Sequence, residues 1–172
     1  MTRLVPVLAL MLTSLLPDSA LAHRPESRGR GVGLGVAAGV NLAEAADLEI
    51  PNSFAWGFFV DIPLLETFYI TPAATVYELG DGDSRTSHTD IDLNFKFIVP
   101  IKRLSLGAGV TTGLTTGFDQ YRGHFGGLAH LGVNIVSNVD LFAMGQYKYL
   151  ATGNFDPDIN NIHVFGGAMF RF

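Results

Sequence analysis

In the last eleven residues of the chain every second residue is apolar or small, and the intervening positions include His163, Gly167 and Arg171. The apolar set comprises Ile162, Val164, Gly166, Ala168, Phe170 and Phe172. Because successive side chains of a β-strand point to opposite faces, this pattern predicts a strand with one apolar and one polar face. The final residue is an aromatic in phase with the apolar set, which is typical of a strand that has lipid on one side and a barrel lumen on the other.

Seven earlier segments repeat this alternation, so the sequence predicts eight strands. They lie at about 31–42, 53–62, 67–78, 88–99, 103–114, 122–136 and 139–150, before the terminal segment. Pro72 lacks a backbone donor, which predicts a local bulge in the third strand. The connections alternate in length: 63–66, 100–102 and 137–138 are short, whereas 43–52, 79–87, 115–121 and 151–160 are longer and polar. The fold class predicted is therefore all-β, an eight-stranded antiparallel up-and-down transmembrane β-barrel, whose narrow lumen is filled by side chains.

The N-terminus has the features of a cleaved signal peptide. Arg3 is followed by the apolar run 4–16, and the small residues Ala20 and Ala22 fit a cleavage site after Ala22. This predicts a signal peptide at 1–22 and a single barrel domain at 23–172. The chain has no Cys, which excludes disulfides and thiol chemistry, and its net charge of -5 gives no reason to expect a nucleic-acid partner.

The inward faces of the predicted strands carry polar residues that we expect to form one network. This set comprises Asp61, His88, Asp90, Asp92, Asn94, Lys96, His124, His130, Lys148, His163 and Arg171. The phase of the seventh strand is open from its pattern alone. We favour Lys148 and Gln146 inward because a charge at mid-membrane depth on the lipid face costs about 2–4 kcal/mol, and this choice places Phe142 and Met144 in the lumen. Bare charges in a dry lumen are costly, so we expect these groups to pair as a structural plug, the alternative being a narrow ion or small-solute conduit.

The outward faces carry aromatic side chains that suit the two membrane interfaces. We expect lipid-facing anchors at Trp56, Phe95, Phe97, Tyr147, Tyr149 and Phe170.

Few features predict chemistry. His88, His124 and His163 lie on strands that are not adjacent, so we expect no metal site and no cofactor. The Gly80–Asp83 segment, like Asp156 and Asp158, is best explained as a solvated turn, because the further ligands of a calcium loop are missing. No His-x-Ser pair, which barrel lipid deacylases carry, occurs in the chain. We therefore expect no enzyme activity, and lipid A or phospholipid acyl chemistry remains the alternative.

The whole predicted barrel resembles the small bacterial outer-membrane β-barrel family, which includes the transmembrane domain of outer membrane protein A and outer membrane protein X. The resemblance rests on the strand 89–97, on Leu106-Gly-Ala-Gly-Val110 and on the terminal Phe170-Arg-Phe172. It implies a monomer in the bacterial outer membrane, surrounded by outer-membrane lipid and lipopolysaccharide. Phe172 resembles the signal that the outer-membrane assembly machinery recognises. The family has diverse roles, so the resemblance implies a structural or surface-interaction role without naming a ligand.

Overall fold

The fold is built almost entirely from β-strands. The computed structural model describes residues 31–45, 48–49, 52–80, 85–117, 121–151 and 157–172, so the predicted signal peptide lies outside the described residues, as do most of the Gly80–Asp83 segment and Asp156. The strands are β1 (Gly33–Ala45), β2 (Leu48–Glu49), β3 (Ser53–Pro63), β4 (Phe68–Leu79), β5 (Thr86–Ile101), β6 (Leu104–Thr116), β7 (Arg122–Val136), β8 (Val139–Ala151) and β9 (Pro157–Arg171). The described residues contain no helix of the length and apolar character needed to cross a membrane.

Eight of these strands close into a barrel. Each long strand pairs antiparallel with the next, and β1 also pairs with β9 along Gly33–Ala45, which closes the wall. The two-residue β2 pairs with the end of β1 only and adds no strand to the wall. The predicted fold class, an eight-stranded antiparallel up-and-down barrel, is confirmed.

The strands extend further into one set of connections than the sequence pattern predicts. β5 begins at Thr86 and β9 at Pro157, so the connections predicted at 79–87 and 151–160 are partly strand, and β1 likewise continues to Ala45. Backbone pairing does not require apolar side chains, so the ladders continue past the point where the alternation fades. We call the end with these longer connections the loop end and the opposite end the turn end.

The prediction of a bulge at Pro72 is wrong. Pairing of β3 with β4 lapses opposite Thr71 and Pro72, but the register is the same on both sides, from Phe59↔Ala73 to Ile62↔Ile70. On the other side Pro72 pairs with Leu93 in unbroken register. The missing donor is therefore accommodated by a short gap in one ladder. Register irregularities occur instead between Asn134 and Val136 and between Leu150 and Ala151.

The alternation of apolar and polar residues along the sequence corresponds to an alternation of exposed and buried side chains in the structure. Along β3 and β5 the inward positions are buried and the outward ones are mostly exposed, as in Phe58 against Phe59. Small residues on β1 leave room for large ones on β9: a Cβ added at Gly35 would lie 2.7 Å from Met169 Cε. The lumen is thus packed by side chains that complement each other across the wall.

Candidate functional site

The chemistry of this protein is concentrated inside the barrel, where buried charges form two clusters. The loop-end cluster consists of Asp90, Asp92, His124 and Lys148. Lys148 Nζ donates to Asp90 Oδ2 at 2.8 Å and to both oxygens of Asp92 at 2.9 Å. All three of these side chains are fully inaccessible or nearly so. Because β8 carries the lysine and β5 the two carboxylates, the ion pairs cross the lumen and tie opposite walls together.

His124 and three neighbouring side chains complete the bonding of the loop-end cluster. His124 Nε2 lies 2.7 Å from Asp92 Oδ1, and the hydroxyls of Thr115 and Tyr77 donate to Asp90 Oδ1 at 2.7 and 3.0 Å. Asn161 in turn donates to the Tyr77 hydroxyl at 3.1 Å. A buried carboxylate needs several donors to offset its lost hydration, and these residues supply them.

The turn-end cluster consists of Asp61, Lys96, Asp140 and Arg171. Asp61 accepts from Lys96 Nζ at 2.5 Å, from Thr71 Oγ1 at 2.7 Å and from Arg171 Nη2 at 3.2 Å. Arg171 Nε also donates to Asp140 Oδ2 at 2.5 Å. Two carboxylates therefore face two cations, which balances the formal charge of this cluster.

An apolar layer lies between the polar groups on one side of the lumen. This apolar belt consists of Phe59, Phe142, Met144, Phe165 and Met169, all buried. The Phe59 ring packs edge-on against Phe142 and against Phe165, with both centroid distances at 5.8 Å. The belt residues come from β3, β8 and β9. Beside the belt the polar groups are connected by Gln146, which donates to Asn94 Oδ1 at 3.0 Å, and by Asn94, which donates to the Thr71 carbonyl at 3.0 Å.

The other three inward histidines occupy separate environments. His88 stacks on Tyr77 and its Nδ1 lies 3.1 Å from the Thr116 carbonyl oxygen. His130 stacks on Phe142 in the turn-end half. The His163 ring packs edge-on against Tyr77 at 4.8 Å, and neither of its nitrogens has a hydrogen-bond partner among the described residues.

One group of buried residues has the composition of a metal site. Ligand atoms of Asp90, Asp92 and His124 lie within 4.8 Å of one another. The ammonium of Lys148 already contacts both carboxylates. A cation bound there would have to displace Lys148 from the centre of a fully buried cluster, so the donor set suits the resident ammonium better than a metal.

The structure places every residue of the predicted lumen network inside the barrel. Seven of the eleven lie in the two clusters, whereas His88, Asn94, His130 and His163 lie outside them, and the clusters include partners that the sequence did not indicate. Asp140, Thr71, Thr115 and Tyr77 bond directly to the charged groups. Asp140 shares the inward phase of Phe142 and Lys148, but its position next to the turn at 137–138 does not show that it bonds to Arg171. The predicted anchors Trp56, Phe95, Phe97, Tyr147, Tyr149 and Phe170 are half-buried or exposed on the outer surface.

Comparisons with known proteins identify the fold. No protein-family model matches the chain, and no curated protein matches it in sequence. Among solved structures it is similar to Neisserial surface protein A, NspA, with a TM-score of 0.68 and 17% identity over 83% of this chain and 97% of that one. It is also similar to Ail, the attachment invasion locus protein of Yersinia pestis, with a TM-score of 0.57 and 15% identity over 83% of this chain and 99% of that one. The resemblance to small outer-membrane β-barrels is thereby confirmed at the level of the fold.

Proposed function

We propose that this protein is an integral outer-membrane β-barrel with a closed lumen, and that it has a structural or surface-interaction role. The proposal rests mainly on the distribution of polar and apolar residues, which is the inverse of that in a water-soluble protein. Large apolar residues such as Phe54, Phe58 and Val110 are exposed on the outer wall, whereas Lys96 and Lys148 are buried inside. A barrel in water would be destabilised by an exposed apolar outer face and by buried charges. A barrel in lipid requires this arrangement, because its outer face contacts hydrocarbon.

The charge on the outer wall supports the same conclusion. Among the outward-facing strand residues whose side chains the structure describes, Glu78 alone is charged, and it lies at the loop end of β4 next to Arg85. A charge on the lipid face costs most at the bilayer centre and least at its edges. Closure of β1 onto β9 also leaves no unpaired strand edge in the wall, which a hydrocarbon environment would not tolerate.

Features at both ends of the chain support the outer membrane as the location. Phe172 is exposed just beyond β9, next to Phe170, and fits the assembly signal expected from the resemblance. The predicted signal peptide at 1–22 would direct the chain out of the cytoplasm. The expected partners are therefore outer-membrane lipid, lipopolysaccharide and the assembly machinery, with the barrel as a monomer.

The packed lumen favours a closed barrel over the alternative of a narrow conduit. The apolar belt and the two ion-pair clusters fill the interior with buried side chains, and an eight-stranded lumen is only wide enough to hold them. Planar-bilayer recordings of the refolded protein should show no discrete conductance steps. Regular steps would favour the conduit.

A surface role is supported by the names of the two similar structures. One is a surface protein and the other an attachment invasion locus protein. We propose that this chain likewise acts without catalysis, through its loops or through its presence in the envelope. Mass spectrometry of lipid A from cells with and without the gene tests the enzyme alternative, because a lost acyl chain would identify a lipid-modifying enzyme. The detergent sensitivity of the same pair of strains tests the contribution to envelope integrity.

The first experiment for the location is gel mobility of unheated and boiled protein from separated membrane fractions. A closed barrel resists cold detergent, so a band that shifts on boiling and occurs in the outer-membrane fraction is the expected result. Recovery from the soluble periplasm, with no shift, would overturn the proposal.

A further inference from the structure

Four inward polar residues form one continuous row across four neighbouring strands. Gln146 on β8 pairs in register with His163 on β9, His163 pairs with Asn41 on β1, and Asn41 pairs with Ser53 on β3. We call these four residues the polar row. Each is an inward residue, so their side chains stand next to one another on the inner wall.

The members of the polar row are buried without enough hydrogen-bond partners. Asn41 and His163 are 0% exposed, Gln146 is 1% exposed and Ser53 is 6% exposed. Within the described part of the chain, no partner is bonded to either polar atom of Asn41, to either nitrogen of His163, to Gln146 Oε1 or to Ser53 Oγ. Leaving one such group without a partner costs about 1–3 kcal/mol, so six in one place would be a large penalty.

The spacing of the row suits a bridging ligand of the size of water. Paired residues on antiparallel strands have Cα atoms about 4.5–5.5 Å apart, and the polar atoms named above do not bond to their register neighbours, so a single bridging oxygen can join neighbouring side chains. The row offers both donors, on the two amides, and acceptors, on the amide oxygens and the imidazole. It carries no carboxylate or ammonium, so it matches a neutral hydrogen-bonding molecule better than an ion.

The residues above and below the row define where such molecules can lie. On the turn-end side, the next register row is Met144, Phe165, Gly39 and Ala55, which is apolar. Gln146 lies five residues before the end of β8 at Ala151, whereas Ser53 is the first residue of β3 at the same end of the barrel. The row therefore runs from the interior towards the loop end, and its most exposed member lies at that end.

We propose that the polar row binds a file of ordered water molecules that enters at Ser53 and ends at Gln146. The apolar row and the apolar belt close the file towards the turn end. Buried water commonly makes about three hydrogen bonds to polar groups that would otherwise be unpaired, and the row supplies such groups in sequence. The proposed water is therefore confined to the inner wall formed by β8, β9, β1 and β3, on the loop-end side of the apolar belt.

The test is water–protein cross-relaxation NMR on the isotopically labelled barrel refolded in detergent micelles. We expect cross peaks at the water frequency from the side-chain amide protons of Asn41 and Gln146 in the unsubstituted protein. The control is the backbone amide of Phe142, a buried residue of the apolar belt that lies four residues from Gln146 towards the turn end, and it should show none. Resolved Asn41 and Gln146 amides without water cross peaks would overturn the proposal.

Exchangeable side-chain protons can imitate bound water, so one further variant separates the two sources of signal. Asn41→Leu interrupts the row between Ser53 and His163 and leaves the exchangeable protons of both side chains in place. The Gln146 cross peak should be lost in this variant if water is bound along the row. Its persistence would assign the signal to relay through His163 and would count against the water file. The experiment uses folded barrel in micelles, so its result is independent of where the protein resides in the cell.

Discussion

Lys148 and Asp90 form an ion pair across the barrel, with Lys148 Nζ 2.8 Å from Asp90 Oδ2. The two residues lie on β8 and β5, which are separated in the wall by β6 and β7. The wall is held by backbone ladders between neighbours, whereas this pair connects strands that share no ladder. We infer that the lumen clusters brace the barrel against deformation of its cross-section.

Lys148→Met should destabilise the barrel strongly. The substitution leaves the carboxylates of Asp90 and Asp92 buried without their cation, and breaking a buried pair in this way costs about 3–5 kcal/mol. The measurement is urea unfolding of the refolded protein in micelles.

The control for this prediction is Arg85→Ala, which removes a pair with Glu78 at 3.6 Å between two half-exposed side chains. A surface pair contributes at most about 1 kcal/mol, so this variant should unfold close to the unsubstituted protein. Equal stability of Lys148→Met and Arg85→Ala would show that the loop-end cluster does not brace the barrel.

Asp61→Asn should be more destabilising than Asp140→Asn. Asp61 is inaccessible and accepts from Lys96, Thr71 and Arg171, whereas the partly exposed Asp140 accepts from Arg171 and Asn134. Loss of the Asp61 charge leaves Lys96 without a carboxylate in a dry region, which again costs about 3–5 kcal/mol. Unfolding midpoints of the two variants, measured side by side, decide the order. The reverse order would mean that Arg171, held by Asp140, carries the turn-end cluster.

Gly35→Ala should destabilise the barrel because the new methyl group would lie 2.7 Å from Met169 Cε and 3.0 Å from its Sδ. Overpacking costs about 1–3 kcal/mol, and because the atoms met are the flexible end of the Met169 side chain we expect a cost near the lower limit of this range. The matched control is Gly166→Ala on the outer wall, where an added Cβ meets no atom within 4 Å and where we expect a change within about 0.5 kcal/mol.

A double variant identifies the cause of the Gly35→Ala effect. In a Met169→Ala background the methyl group has room, so Gly35→Ala should cost less there than in the unsubstituted protein. Equal costs in both backgrounds would point to the nearby Ala168 carbonyl oxygen, at 3.2 Å, as the source of the strain.

Phe172→Ala should reduce assembly in cells without weakening the folded barrel. Phe172 is 73% exposed and its main ring contact is with Phe170, so little stability is lost when it is removed. The measurement compares the yield of heat-modifiable protein in outer membranes with unfolding of the refolded variant in micelles. Tyr121→Ala, which removes an aromatic of similar exposure (77%) at the loop end, is the control and should leave both unchanged. An equal loss of yield for the two variants would argue against a role for the terminal aromatic as an assembly signal.

The wall of the barrel could be predicted from local sequence because its constraint is local. Every strand must present one face to lipid and one to the lumen, so the period-two alternation is visible in each segment, as between Phe58 and Phe59 or between Leu93 and Asn94. For the ambiguous β8, the cost of a lipid-facing charge at Lys148 was sufficient to choose the phase that the structure has.

The sequence could not predict which inward side chains bond to each other inside the lumen, because this pairing depends on strand tilt and register across the barrel. Asp90 and Asp92 are adjacent on one face of β5, but the sequence does not show that Lys148, 58 and 56 residues away, reaches both. The same holds for Asp140, whose inward phase does not show that it bonds to Arg171. At Pro72 a gap in one ladder replaced the expected bulge.

The sequence by itself determined the number of strands, their faces and the barrel class, because lipid imposes the same rule on every strand. Only the tertiary structure decided how the buried groups are shared among two ion-pair clusters, an apolar belt and the polar row. The physical reason is that these contacts join residues from strands far apart in the chain, and their geometry exists only once β1 has closed onto β9.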